Sequence, residues 1–394
     1  MSDEPAKQRD IFQPIFKGTG APPADNGDTP PLAALPAPPT WRRADRRKQE
    51  RGATFQAEPN EIELVNAALY LRRPLLVTGK PGTGKTSLAY AIAREPDLGE
   101  VLYWPITTRT TLKDGLYLYD AIARLQDSTE KERSGENRFD NMGKYIRLGP
   151  LGTALLPSKK PRILIVDEID KSDIDLPNDL LYVFEEGVFE IPELVRIEDV
   201  RAEVEVRTAY KDDTEFTFNK QSVTDDDAVV IASDVNDHAT DDKPVVVNGK
   251  TKIEKGRIAC TEFPLMILTS NGERDFPPPF LRRCIRLTMR EPDETRLTEI
   301  VKAHLRQEEN GEALIAGAEK QINDLVKRFV GKRDKNFSKG NLATDQLLNA
   351  IYLITRERKP NINTEVSEPG DLIDRLWKHL SSSEDQLSDN QRKS

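Results

Sequence analysis

Leu75-Leu76-Val77-Thr78-Gly79-Lys80-Pro81-Gly82-Thr83-Gly84-Lys85-Thr86 is the stretch that decides the fold. The apolar run that opens it has the look of a short buried strand. The residues that follow, Ser87-Leu88-Ala89-Tyr90-Ala91-Ile92-Ala93, read as a helix. Between strand and helix, Gly79 to Thr86 satisfy G-x-x-x-x-G-K-[ST] at every fixed position, and that context makes the segment a phosphate-binding loop. Glycines let successive backbone N–H groups curl round phosphate oxygens, and the helix N-terminus adds the positive end of its dipole. Lys85 is the cation for the β- and γ-phosphates, and Thr86 offers a hydroxyl to Mg²⁺. The candidate nucleotide-binding residues are therefore Gly79, Lys80, Pro81, Gly82, Thr83, Gly84, Lys85, Thr86 and Ser87.

Such a loop needs an acid on a neighbouring strand. Arg162-Ile163-Leu164-Ile165-Val166-Asp167-Glu168 supplies it. The apolar residues build the strand, and Asp167 emerges at its carboxyl end, where open α/β sheets bind ligands. Asp167 is the expected second group for the magnesium and part of the nucleotide site, with Thr86 the first. Glu168, next along, is placed to orient or deprotonate an attacking water. A guanine-specific N-K-x-D element is missing, since Asn219-Lys220-Gln221-Ser222 falls short of it. The expected cofactors are ATP and Mg²⁺.

Outward from these motifs, short apolar runs at Val101–Pro105, Ile163–Val166, Leu265–Thr269 and Cys284–Met289 read as further buried strands. Helical stretches are expected at Lys85–Arg94, Leu116–Leu125 and Leu176–Glu186. Strand–helix alternation of this kind predicts a parallel sheet covered by helices on both faces. Residues 55–291 form the nucleotide-binding domain in this reading, interrupted at about 189–257. Within that interruption, residues 211–242 hold ten acids against two lysines, as a solvated insertion would, and Asn248-Gly249 stands between two β-prone runs as a hairpin turn. Residues 292–380 read as helices: Glu294–Leu305, Ala313–Phe329, Thr344–Arg356 and Asp371–Leu380.

The ends differ. Residues 1–54 are Pro-rich and then Arg-rich, and 381–394 are polar; both are expected to be tails, because their composition buries too little apolar area to offset chain entropy. Arg42, Arg43, Arg46, Arg47, Lys48 and Arg51 fit either a solvated linker or a contact with nucleic acid or a partner. With 67 acidic against 58 basic side chains, the net charge is -9, which gives no general attraction to phosphate backbones. Two cysteines exclude a disulfide framework, and three scattered histidines offer no metal-ligand spacing. No run is long and apolar enough to span a membrane, and residues 1–10 do not open a signal peptide, so a cytoplasmic location is expected.

With these motifs in hand, residues 55–380 resemble the AAA+ ATPases, and within them the MoxR-like branch. Four further stretches carry the resemblance. Gly115–Leu125 looks like a helix of one MoxR-like group. Gly149-Pro150-Leu151 precedes the acidic strand. Leu268-Thr269-Ser270-Asn271 closes the next strand, where the family keeps its sensor-1 asparagine. Phe280-Leu281-Arg282-Arg283-Cys284 is similar to the family's F-L-D-R-F segment. The resemblance implies a P-loop AAA+ domain with a small helical lid, assembled as a homo-oligomeric ring, usually a hexamer. It implies that Asn271 hydrogen-bonds the attacking water. It also implies that Arg283, with Arg282 as second choice, acts as the finger in a neighbouring subunit's site. The lid departs from the family's pattern: Gly340–Leu348 lacks a sensor-2 arginine, and Lys339 and Asp345 are the nearest charged residues. Residues 139–156 and Phe189–Ile253 are the candidates for the two hairpins inserted in that branch, with plain surface insertions as the alternative reading. The function implied is ATP-driven, chaperone-like remodelling of a protein partner such as a von Willebrand factor A domain protein. A nucleic-acid motor or restriction-type subunit, and a slow nucleotide-gated switch, are the alternatives.

Overall fold

The computed structural model describes residues 38–43, 52–134, 142–210, 249–308, 310–335, 342–355, 373, 376 and 377. They fall into two compact units. One comprises Ala57–Gly79 and Lys85–Met289. The other comprises the described residues up to and including Gln56, Lys80–Gly84, and those from Arg290 onward.

In the first unit the chain runs through helix α1 (Pro59–Leu71), strand β1 (Leu75–Thr78), helix α2 (Lys85–Arg94) and β2 (Leu102–Pro105). It continues through α3 (Leu112–Leu116), β3 (Tyr117–Tyr119), α4 (Ala121–Ser134), β4 (Ile146–Leu148), α5 (Pro150–Ala154), β5 (Ile163–Asp167) and α6 (Asp175–Glu186). After β6 (Val188–Glu190) come α7 (Pro192–Val195), β7 (Glu203–Arg207), β8 (Lys250–Glu254), β9 (Arg257–Ala259), β10 (Leu265–Ser270), α8 (Pro278–Arg283) and β11 (Ile285–Thr288). Five strands make the main sheet in the order β11-β1-β10-β5-β2, with every pairing parallel. Ile163 to Val166 and Leu265 to Leu268 are buried at every position, which is why both strands read as continuous apolar runs rather than alternating ones. Each such aliphatic side chain contributes about 1.5–3 kcal/mol by leaving water. Helices α1 and α2 pack on this sheet, α2 against β5 and β10. This is the α/β architecture of P-loop AAA+ domains.

The remaining strands form a four-stranded sheet, β3-β4-β7-β8, and an antiparallel pair, β6 with β9. One expectation changes here. The stretch Gly115–Leu125 is not one helix. Tyr117–Tyr119 pair with Ile146–Leu148 as a strand, and α4 starts only at Ala121. Asp120 makes the break: its Oδ1 accepts the Ala123 N–H at 2.8 Å, a side-chain cap that starts a new helix. In the second inserted segment, the described partner of β8 is β7, aligned Glu203 with Glu254 through Arg207 with Lys250. Residues 245–247, the expected partners across Asn248-Gly249, lie outside the described residues, as does the acidic segment 211–242.

In the second unit the helices are α9 (Glu294–Arg306), α10 (Gly311–Lys335) and α11 (Thr344–Thr355). Leu297, Val301 and Leu305 on α9 recur every four residues and meet Ile322, Leu325 and Phe329 of α10 and Leu347 and Ile351 of α11 in one core. Trp377 is fully buried in it, and its indole N–H donates to Gln346 O at 3.2 Å. The expected helix at 371–380 lies mostly outside the described residues. Residues 40–42, expected within a tail, form a 3-10 turn whose Trp41 packs on this core. Trp41 meets the His304 ring edge-on at 5.7 Å and the Tyr352 ring at 5.6 Å, and Thr40 N–H donates to Glu308 Oε1 at 2.9 Å.

Candidate active site

Because β1, β10, β5 and β2 are adjacent and parallel, their carboxyl ends lie side by side, and the sequence candidates sit at those ends. In the sheet unit, Gly79 N–H donates to Ser270 O at 3.2 Å, which fixes the start of the loop on β10. Lys85 opens α2 and is 8% exposed. Its Nζ donates to Gly79 O at 2.6 Å and to Asn271 Oδ1 at 2.8 Å. Burial holds its ammonium below the usual lysine range, opposed by the carboxylates of Asp170, Asp167 and Glu168. Ser87 follows on α2, half-buried.

Asp167 is a convergence point. Its Oδ1 accepts from Thr269 Oγ1 at 2.6 Å and from Thr86 Oγ1 at 3.3 Å, while its Oδ2 accepts from the Tyr103 hydroxyl at 2.6 Å. Burial, followed by the bond to Asp167, lifts the Tyr103 pKa well above the ordinary tyrosine value, so the hydroxyl stays a donor. Glu168 has φ +60, a left-handed backbone that is costly for a residue with a Cβ and concentrated at functional sites. Its N–H is held by Thr269 Oγ1 at 2.9 Å. Its carboxylate lies between Lys171 Nζ at 2.7 Å and Asn271 Nδ2 at 3.5 Å. Asp170 is 4% exposed, and its Oδ2 accepts the backbone N–H groups of Asn271 at 2.8 Å and Glu273 at 3.1 Å.

The fold therefore brings together Gly79, Lys85, Thr86, Asp167, Glu168 and Asn271. Arg283 ends α8, where its Nε donates to Glu185 Oε1 at 2.6 Å and Nη1 to Pro279 O at 3.1 Å. Arg282 is exposed beside it. Tyr103, Thr269, Asp170 and Lys171 escaped the sequence reading. Asp170 and Lys171 stand next to the acidic motif, but Tyr103 and Thr269 reach Asp167 only through strand pairing.

Lys80, Pro81, Gly82, Thr83 and Gly84 belong to the helical unit. There Lys80 Nζ lies 3.0 Å from Glu291 Oε2, and Thr344 Oγ1, at the start of α11, donates to Gly82 O at 2.8 Å. Gly82 has φ +81, and a Cβ on it would stand 2.8 Å from Thr344 N and 2.9 Å from Ala343 Cα. Only glycine fits that approach. Where the sequence offers no sensor-2 arginine, α11 presents Thr344 to the loop.

The donors suit a hard cation: a threonine hydroxyl and a carboxylate oxygen 3.3 Å apart are the chemistry Mg²⁺ selects. Among the described residues, no group of three or more His, Cys, Asp or Glu side chains could hold a metal ion by itself. No described helix is long and apolar enough to cross a membrane.

Residues 74–233 match the AAA domain of the dynein-related subfamily. No curated protein matches the chain. The matched region spans the phosphate loop, β5 and Asp167-Glu168, so the domain is of the P-loop NTPase class and the chain is a nucleotide-binding ATPase.

Proposed function

We propose that the protein hydrolyses ATP with Mg²⁺ and couples turnover to remodelling a protein partner, as the MoxR-like resemblance implies. The observation that carries the hydrolytic part is the convergence of Lys85, Thr86, Asp167, Glu168 and Asn271 at the carboxyl ends of three adjacent strands. Lys85 binds the β- and γ-phosphates. Thr86 and Asp167 hold the cation, which neutralises charge on the phosphate oxygens. Glu168 takes the proton of the attacking water, and its left-handed backbone sets the carboxylate beside Asn271, which orients that water.

We place the finger at Arg283, acting in the site of a neighbouring subunit within a ring, usually hexameric in AAA+ proteins. Its bond to Glu185 keeps the guanidinium at the surface, and half-exposed ion pairs of this kind are worth little, so the exchange for a phosphate is inexpensive. Arg282 is the second candidate. The partner remains a protein of the von Willebrand factor A type by resemblance.

The test is a pair of substitutions in the full chain. Lys85→Ala is expected to abolish ATP binding in calorimetry, and near-normal affinity would sink the loop assignment. Glu168→Gln is expected to bind ATP and leave it unhydrolysed, because the amide keeps the shape but cannot act as base. Normal turnover in that variant would remove Glu168 from its role.

A further inference from the structure

Tyr103 stands outside every motif, yet its hydroxyl makes one of the two shortest bonds to Asp167. It lies on β2, where burial alternates: Trp104 is 4% exposed and Tyr103 is 38% exposed. Core packing therefore does not explain an aromatic ring at this position. Strand pairing sets Pro105 opposite Asp167 and Tyr103 opposite Ile165, so the phenol reaches forward along the sheet to Oδ2. A carboxylate has about four lone-pair positions. Thr269 and Thr86 both use Oδ1, and Tyr103 alone among the described side chains holds Oδ2. Without the phenol, Oδ2 loses its partner and only the bonds at Oδ1 oppose rotation of the carboxylate, so the alignment of Oδ1 with Thr86 Oγ1 is loosened.

We propose that Tyr103 is a positioning residue for the divalent cation, fixing the Asp167 carboxylate plane so that Oδ1 stays beside the Thr86 hydroxyl. The inference rests on the nucleotide-and-cation reading above. Tyr103 touches neither phosphate nor water in this role; it acts only through Asp167.

The experiment uses the full chain and a fluorescent ADP analogue, titrated first in EDTA and then with Mg²⁺. In Tyr103→Phe, affinity in EDTA is expected to stay within twofold of the parent. The Mg²⁺ concentration giving half the cation-dependent gain is expected to rise about tenfold, the size of one lost hydrogen bond to a charged group. Mn²⁺ binding to the ADP complex, read by electron paramagnetic resonance, should weaken in parallel. In an Asp167→Asn background, Tyr103→Phe should add no more than twofold. A parent chain that binds the analogue with no dependence on Mg²⁺ would overturn the cation reading itself. A Mg²⁺ midpoint that is unchanged or lower in Tyr103→Phe, in a parent that does depend on Mg²⁺, would overturn the positioning role alone. Equal weakening with and without Mg²⁺ would overturn it too, by placing the phenol on the nucleotide.

Discussion

At the residue scale, Asp170 shows how much of the site is held by groups that never meet substrate. Its buried Oδ2 pins the backbone of Asn271 and Glu273, while its Oδ1 has no hydrogen-bond partner among the described residues. Asp170→Ala would strip two backbone donors of their acceptor. We expect a loss of about 1–3 kcal/mol in denaturant unfolding, together with slowed hydrolysis at retained ATP affinity, since Asn271 is displaced while Lys85 remains. Unchanged unfolding and unchanged turnover would show Asn271 to be positioned by β10 alone. The residues legible in the sequence were those with a fixed spacing: Lys85 and Thr86 in the loop, Asp167 and Glu168 ending an apolar run. Tyr103 and Thr269 were not, because their partner lies 64 and 102 residues away and no local pattern records a cross-strand bond.

At the scale of elements, β1, β5 and β10 were legible because strands buried on both faces have no alternation to disguise them, while β2 and β11 alternate in burial and were legible as short apolar runs. The segment Tyr117–Tyr119 was not. Leu118, Ile122 and Leu125 stand at i, i+4 and i+7, a helical spacing, and Asp120, the cap that divides the stretch, signals a helix start only to a reader who already doubts the helix before it. In the helical unit, the approach of α11 to the phosphate loop makes two predictions of different size. Gly82→Ala adds a left-handed penalty of about 1–2 kcal/mol and drives a methyl into Thr344 and Ala343. It should lower the melting temperature and weaken nucleotide binding at least tenfold. Thr344→Val removes only the bond to Gly82 O and should cost about 1 kcal/mol in unfolding. If Gly82→Ala binds and melts as the parent does, the loop can move aside from α11.

At the scale of the whole molecule, the Pro-rich and Arg-rich N-terminal stretch contains an anchor that composition hides. Removing residues 1–37 should leave the melting temperature unchanged. Trp41→Ala should destabilise the helical unit by about 1–3 kcal/mol through lost apolar contact. A Trp41→Ala protein that melts as the parent does would mean that the Trp41 contact carries no stability. His304, against which Trp41 packs, makes the same unit sensitive to acid. Burial lowers its pKa from the ordinary 6.5 to about 4, with Glu308 opposing the shift. Between those values the unfolded chain binds a proton that the folded unit refuses. Stability is therefore complete above pH 6.5 and falls as pH drops toward 4, at about 1.4 kcal/mol per pH unit. Thermal melts from pH 7 to 4.5 should show this slope, and His304→Gln should flatten it. The placement of the indoles turns these experiments into separate optical channels. The chain has three tryptophans: Trp104 sits in the sheet unit, one residue from Tyr103, while Trp41 and Trp377 report from the helical unit. A protein keeping only Trp104 would emit from the nucleotide-binding sheet alone. One keeping only Trp41 would reveal by a red shift the moment its N-terminal anchor lets go, with no dye or label attached.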